Sequence, residues 1–229
     1  MKTIGLIGGM SWESTITYYQ LINEAVKERL GGLHSAKILL YSVDFAELEA
    51  LMSRGEWDKS AELLGDVARR LEQAGADCVL ICTNTFHKIA PQVQARIRVP
   101  LLHIAEAAAD ELLSHGIKRV GLLGTKYTMT QDFYRDKLTA RGVAVVIPEG
   151  DDIDLVNQVI FEELCLGVVR EESRAAYLRV IADLKRRGAE AILLGCTELG
   201  LILRQEDVDL PLFDTTVIHA EQAAKFALI

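Results

Sequence analysis

Four cysteines and a scatter of strand-end hydroxyl groups are the residues of this chain with nucleophilic or proton-transfer chemistry to offer. One of them is singled out by where it stands. Ala191-Ile192-Leu193-Leu194-Gly195 is an apolar run of strand length, and Cys196-Thr197-Glu198 follows it in a polar turn. A buried parallel strand that ends this way presents its last side chains at the carboxyl edge of a sheet, where α/β proteins bind ligands. The stretch has an earlier counterpart. Gly75-Ala76 and Gly188-Ala189 lie 113 residues apart, and the same shift sets Thr83 against Cys196. Cys82 is one residue out of that register, so on a strand it points to the opposite face. Thr83, not Cys82, is therefore the expected equivalent of Cys196.

Two proton-transfer groups acting on one carbon from opposite sides suit a reaction that inverts a stereocentre, one group removing the α-proton and the other returning a proton to the far face. A thiol serves because its pKa, ordinarily near 8.5, can be lowered by turn amides and helix N-termini. The turns after Cys196 and Thr83 are expected to supply such amides, which also suit a substrate carboxylate. Thr83 is the weaker member: a hydroxyl donates a proton but is a poor base near neutral pH.

The elements that must hold these residues are legible as two similar halves. Gly5-Leu6-Ile7-Gly8 matches Gly121-Leu122-Leu123-Gly124, the Gly-Ala strands match, and Val99-Pro100-Leu101-Leu102 matches Leu210-Pro211-Leu212-Phe213, at shifts of 116, 113 and 111. Three ordered matches at nearly one offset point to an internal duplication. The expected fold is α/β: two similar three-layer α/β/α domains, each with a parallel four-stranded sheet, related by pseudo-twofold symmetry with the site in the cleft between them. The expected division is residues 1–98 plus 212–229 against 99–211. A helix is expected over Trp12–Leu30, capped by Ser11 with Ser14 or Thr15, with Ile16, Tyr19, Ile22, Ala25 and Val26 on its packed face. A face carrying Val156, Ile160 and Leu164 suits either a dimer contact or burial within a domain.

Composition narrows the rest. The 229 residues are half apolar and 6% aromatic, and the formal net charge of −8 argues against nucleic acid or an anionic membrane as partner. The first residues enter a strand directly, without a signal-peptide pattern, and no apolar run reaches spanning length, so a cytoplasmic location is expected. Cys78, Cys82, Cys165 and Cys196 show no zinc-type pairing and are expected as free thiols. The histidines form no readable metal constellation, and His87 is expected to pack or cap. Gly8-Gly9 lacks the companions of a phosphate loop.

Several motifs together call up a family. Gly5-Leu6-Ile7-Gly8-Gly9-Met10, Asn84-Thr85-x-His87, Gly195-Cys196-Thr197-Glu198-Leu199 and Phe213-Asp214-Thr215-Thr216-x-x-His219-Ala220 span nearly the whole chain. With them the sequence resembles the cofactor-independent aspartate/glutamate racemase superfamily. Met10-Ser11-Trp12-Glu13-Ser14-Thr15 and Arg54-Gly55-Glu56-Trp57-Asp58-Lys59 look like its enterobacterial branch, described as L-aspartate/glutamate specific or of broad specificity. The resemblance implies no pyridoxal phosphate, no metal, an amino-acid substrate and a homodimer. It also implies two catalytic cysteines. Cys196 matches the second, whereas Thr83 stands in place of the first, which implies Cys196 abstracting the proton from the L-form and Thr83 reprotonating the other face. The implied substrate contacts are Met10, Met52, Arg54, Asn84, Thr85, Thr125, Thr128 and Thr197. Cys165 is a candidate pocket wall, and Glu198 a candidate for orienting the site. Relatives that use a basic residue near position 165 or 166 find Cys165 and Leu166 here, which weakens the expectation of strict dicarboxylate specificity. Maleate isomerase, hydantoin racemase and arylmalonate decarboxylase chemistries stay open on the same residues, as does a non-catalytic amino-acid-binding protein.

Overall fold

The computed structural model describes residues 1–229, and they divide into two units: Met1–Ile104 with His219–Ile229, and Ala105–Ile218. In the first unit the chain runs β1 (Thr3–Gly8), α1 (Trp12–Leu30), β2 (Lys37–Ser42), α2 (Phe45–Ser53), α3 (Trp57–Gln73) and β3 (Cys78–Ile81). A 3-10 turn, Thr85–Ile89, then leads into α4 (Ala90–Gln94). α5 (Ile104–Ser114) carries the chain into the second unit. That unit holds β4 (Arg119–Gly124), α6 (Lys126–Thr130), α7 (Asp132–Ala140), β5 (Ala144–Val146) and α8 (Asp151–Glu162). It continues through α9 (Glu171–Arg186), β6 (Ala191–Gly195), α10 (Leu199–Ile202) and β7 (Leu212–Asp214), and α11 (Thr215–Leu228) returns to the first unit.

All paired strands are parallel, and the two sheets share a topology: β2-β1-β3 in one, β5-β4-β6-β7 in the other. β3 and β6 thus hold equivalent places, as the 113-residue shift requires. The expectation of four strands in each sheet needs correction. In the first, the counterpart of β7 shrinks to a single bridge, Val79 with Leu101. The segment pairs only through Val79, whose N–H donates to the Pro100 carbonyl and whose carbonyl accepts from Leu102 N–H, each at 2.9 Å. The boundary also differs from the expected one. Leu212–Asp214 pairs with β6, so residues 212–218 stay with the second unit, and only from His219 does the chain belong to the first.

Both sheets are cored by strands that read as continuous apolar runs. Ile4, Leu6, Leu80 and Cys82 are fully buried with Tyr18, Ile22 and, from α11, Ala220 and Ala223. In the second unit Val156, Ile160 and Leu164 are buried with Ile192, Leu194 and Tyr177, so that face is core and not a dimer contact. Helix α1 is capped as expected, Ser14 N–H donating to Ser11 Oγ at 3.4 Å. Its packed face is Thr15, Tyr18, Ile22, Ala25 and Val26. Ile16 and Tyr19, expected on that face, are 55% exposed, and Trp12 is 61% exposed. At about 100° per residue these three fall on a flank beside the buried stripe, so the helix carries two apolar faces and only one packs inward.

Candidate active site

The turn that delivers Cys196 depends on a close approach of backbones. Gly195 lies opposite Gly124 in the parallel register, and a Cβ on Gly195 would sit 2.9 Å from the Leu123 carbonyl oxygen and 3.2 Å from Thr128 Cγ2. A side chain there would push β6 from β4, so glycine precedes the thiol for a steric reason. Cys196 is half-buried just beyond. Its Sγ donates to Glu198 Oε2 at 3.0 Å, and Thr197 Oγ1 donates to the same oxygen at 2.7 Å. Leu199 N–H closes the turn on the Cys196 carbonyl at 3.2 Å, opening α10.

This environment overturns the expected activation of the resting thiol. Burial pushes the Cys196 thiol well above its usual range, and the Glu198 carboxylate pushes it further, because a thiolate beside that charge is disfavoured. The Glu198 backbone N–H acts in the expected, lowering direction but is the smallest influence. Cys165, exposed on a 3-10 turn over Leu164–Leu166, is near enough to add to the upward push. The resting group is a thiol with a carboxylate acceptor.

A second carboxyl stands behind the turn. Asp214 ends β7 in register with Leu194, and its Oδ1 caps α11 by accepting from Thr216 N–H at 2.7 Å. Burial raises its pKa, and the charge of Glu198 contributes in the same direction. Its place at the carboxyl end of the strand next to β6 was the available signal, missed because the residue reads simply as the stop of a short strand. Thr125 and Thr128 follow β4 at the same edge. Thr125 caps α6, accepting from Thr128 N–H at 3.4 Å, and Thr128 is fully buried.

In the first unit Cys82 and Thr83 differ in burial. Cys82 continues the ladder, its N–H donating to the Ile7 carbonyl at 2.9 Å, and its fully buried side chain packs in the core, where desolvation alone drives the thiol far above its usual range. Cys78 is likewise buried, its thiol pushed up to about 12. Thr83, the next residue, is half-exposed. Its N–H donates to the Ile81 carbonyl at 2.8 Å, and its carbonyl accepts from His87 Nδ1 at 2.7 Å. Asn84 and Thr85 are buried in the following turn, and Met10 is buried after the neighbouring strand β1. Met52 is buried at the end of α2. Arg54 is turned to its own loop, Nε on Glu56 Oε1 at 2.9 Å, so its guanidinium is engaged by a neighbour rather than held out for a ligand.

The chain's relatives bear on this geometry. The sequence profile of the Asp/Glu/hydantoin racemases matches residues 7–223. The broad specificity amino-acid racemase RacX of Bacillus subtilis is 23% identical over 95% of both chains. A crystal structure from Yersinia pestis, provisionally assigned as an Asp/Glu racemase, superposes with a TM-score of 0.96 at 53% identity, covering all of both chains. That of an aspartate racemase homologue from Pyrococcus horikoshii does so at 0.88 and 36% identity, again over both whole chains.

Proposed function

The chain belongs to the Asp/Glu/hydantoin racemase family and is an isomerase, an amino-acid racemase of the aspartate/glutamate type, and from that premise we propose that Cys196 and Thr83 divide its chemistry between them. Cys196 takes the α-proton from L-aspartate, L-glutamate or a related small polar amino acid, and Thr83 delivers a proton to the opposite face of the same carbon. The observation that carries this reading is the hydrogen bond from Cys196 Sγ to Glu198. A thiol whose pKa is raised needs somewhere to send its proton. With the proton on Glu198 the pair still bears a single negative charge, now held as a thiolate beside a neutral carboxyl. Thr197, donating to the same oxygen, orients that carboxyl. Glu198 is thus read as the partner of Cys196 more than as a substrate contact.

The steps balance with protein groups alone and call on no cofactor. The S–H bond that forms on Cys196 replaces the Cα–H bond that breaks. The electron pair stays on the substrate until Thr83 Oγ supplies a proton; solvent then reprotonates Thr83, and Glu198 releases to solvent the proton it took from Cys196, which restores the resting pair. Since a hydroxyl is a far weaker base than a thiolate, α-proton exchange is faster from the L-enantiomers than from the D-forms, while the equilibrium constant of one keeps kcat/KM for racemisation equal in the two directions. Asn84, Thr85, Thr125, Thr128 and Met10, each at or after a strand end, are the proposed surroundings of the amino acid; Met52, Arg54 and Cys165 are more distant candidates. A thiol that must stay reduced suits the cytoplasm, the proposed location. The proposed assembly is a homodimer, for which the exposed Trp12, Ile16 and Tyr19 face of α1 provides an apolar contact surface.

Proton NMR in deuterium oxide tests the reading. The α-proton signals of L-aspartate and L-glutamate should fade with wild-type protein and persist with Cys196→Ala. Equal initial rates from L- and D-forms would refute the division of labour, and exchange surviving the substitution would refute the base.

A further inference from the structure

The buried histidines of the first unit are not used by that chemistry, yet they are joined to it. His87 is 1% exposed and lies in the 3-10 turn directly after Thr83. Its two ring nitrogens have partners that settle its protonation. Ile104 N–H, which can only donate, points at Nε2 at 3.2 Å. Nε2 must then be the unprotonated acceptor, and the ring proton sits on Nδ1, where it is donated to the Thr83 carbonyl at 2.7 Å. The segment that receives the other end of the ring is itself held. His219, fully buried, donates from Nε2 to the Leu102 carbonyl at 2.7 Å and accepts on Nδ1 from Tyr18 OH at 2.8 Å.

We propose that His87 is the positioning residue for Thr83: its neutral Nδ1–H tautomer, pinned by Ile104 N–H on one side, grips the Thr83 carbonyl on the other and so fixes the Cα–Cβ bond from which the hydroxyl is presented. The inference rests on the reading of Thr83 as proton donor. Its physical ground is that both backbone polar groups of Thr83 are committed, N–H to Ile81 and C=O to His87. That fixes the two soft backbone dihedrals at the residue and with them its Cβ direction. A half-exposed hydroxyl at a strand end has no comparable restraint without the imidazole.

Two substitutions separate the two ends of the ring. The amide of asparagine overlays Nδ1, so His87→Asn keeps a donor for the Thr83 carbonyl; that of glutamine overlays Nε2, so His87→Gln keeps an acceptor for Ile104 and loses the grip on Thr83. The readout is a ratio, taken with L-glutamate and L-aspartate in deuterium oxide. Deuteration with retention needs only Cys196, whereas D-product needs both groups. The expected result is that His87→Gln lowers D-product about tenfold or more, with retention exchange unchanged within about twofold, and that His87→Asn restores the wild-type ratio, since displacement of a reacting group by about 1 Å is enough for such a loss. A wild-type ratio in His87→Gln, or an equal loss in both variants, would overturn the assignment. Thr83→Ala is the control on the underlying reading: racemisation should vanish while retention exchange persists, and a wild-type rate would overturn both. Nitrogen-15 NMR of the wild-type protein gives an arm that no folding defect can blur. His87 should show the Nδ1–H tautomer, and an Nε2–H or doubly protonated ring would also overturn the proposal.

Discussion

Lowering the pH from 7 to 5 should weaken the first unit through His219. The ring is fully buried, and burial, aided by the neighbouring His87, depresses its pKa from 6.5 to about 3. Between those values the unfolded chain binds a proton that the folded chain refuses, so acid favours unfolding. The stability is fully present above the unfolded pKa and is lost as pH falls toward the folded one. From pH 7 to pH 5 the single site contributes a loss of about 2 kcal/mol, taking 1.36 kcal/mol per pH unit once the unfolded ring is protonated. Urea unfolding at the two pH values, with wild type and His219→Gln, isolates it. Asp214, whose raised pKa acts with the opposite sign, is common to both proteins and cancels in the comparison. The glutamine keeps an N–H for the Leu102 carbonyl but does not titrate, so it starts less stable and falls less. Wild type should lose about 2 kcal/mol more than the variant over this range. Equal losses in the two proteins would refute the reasoning, since they would mean that the buried ring is protonated in the folded state or that the cavity admits water.

Other expectations address the site directly. Cys196→Ser should lower α-proton exchange by about 10²–10⁴-fold with little change in unfolding midpoint, read by NMR and circular dichroism. Cys82→Ala should do the reverse, costing about 1–2 kcal/mol of stability for the lost core sulfur while keeping kcat within about twofold. Glu198→Gln should shift the pH profile of Cys196 alkylation by iodoacetamide to lower pH, because the charge that opposes the thiolate is gone, and racemisation should fall because the proton acceptor is gone with it; an alkylation profile identical to wild type would contradict the first. Gly195→Ala should cost about 1–3 kcal/mol and reduce kcat more than KM, since its Cβ would meet the Leu123 carbonyl at 2.9 Å.

Much of the molecule was legible in the chain. The 113-residue repeat makes β3 and β6 equivalent, because the strands of a parallel sheet read as buried apolar runs and end in turns whose glycines leave a trace. Strand parity separates Thr83 from Cys82, and the two differ in burial, Cys82 wholly inside and its neighbour half-buried in the bend after β3. Other features depended on contacts between residues far apart in sequence. Which flank of α1 packs inward was not decided by hydrophobicity, since Ile16 and Tyr19 are as apolar as the buried positions; the neighbours decided it. The fourth strand of the first sheet dwindled to one bridge although its sequence matches β7; since Pro211 and the Leu212 N–H bond to Gln205 repeat Pro100 and the Leu101 bond to Gln94, the local sequence does not set that difference. The protonation of Cys196 was beyond the sequence for the same reason. A turn after a strand promises amides that lower a thiol's pKa, but whether they prevail over desolvation and a carboxylate 3.0 Å away is a matter of three-dimensional placement. Periodicity and repetition are local properties that one chain records in order; burial, charge proximity and tautomer are set by residues as distant as Tyr18 and His219, and only the folded structure brings them together.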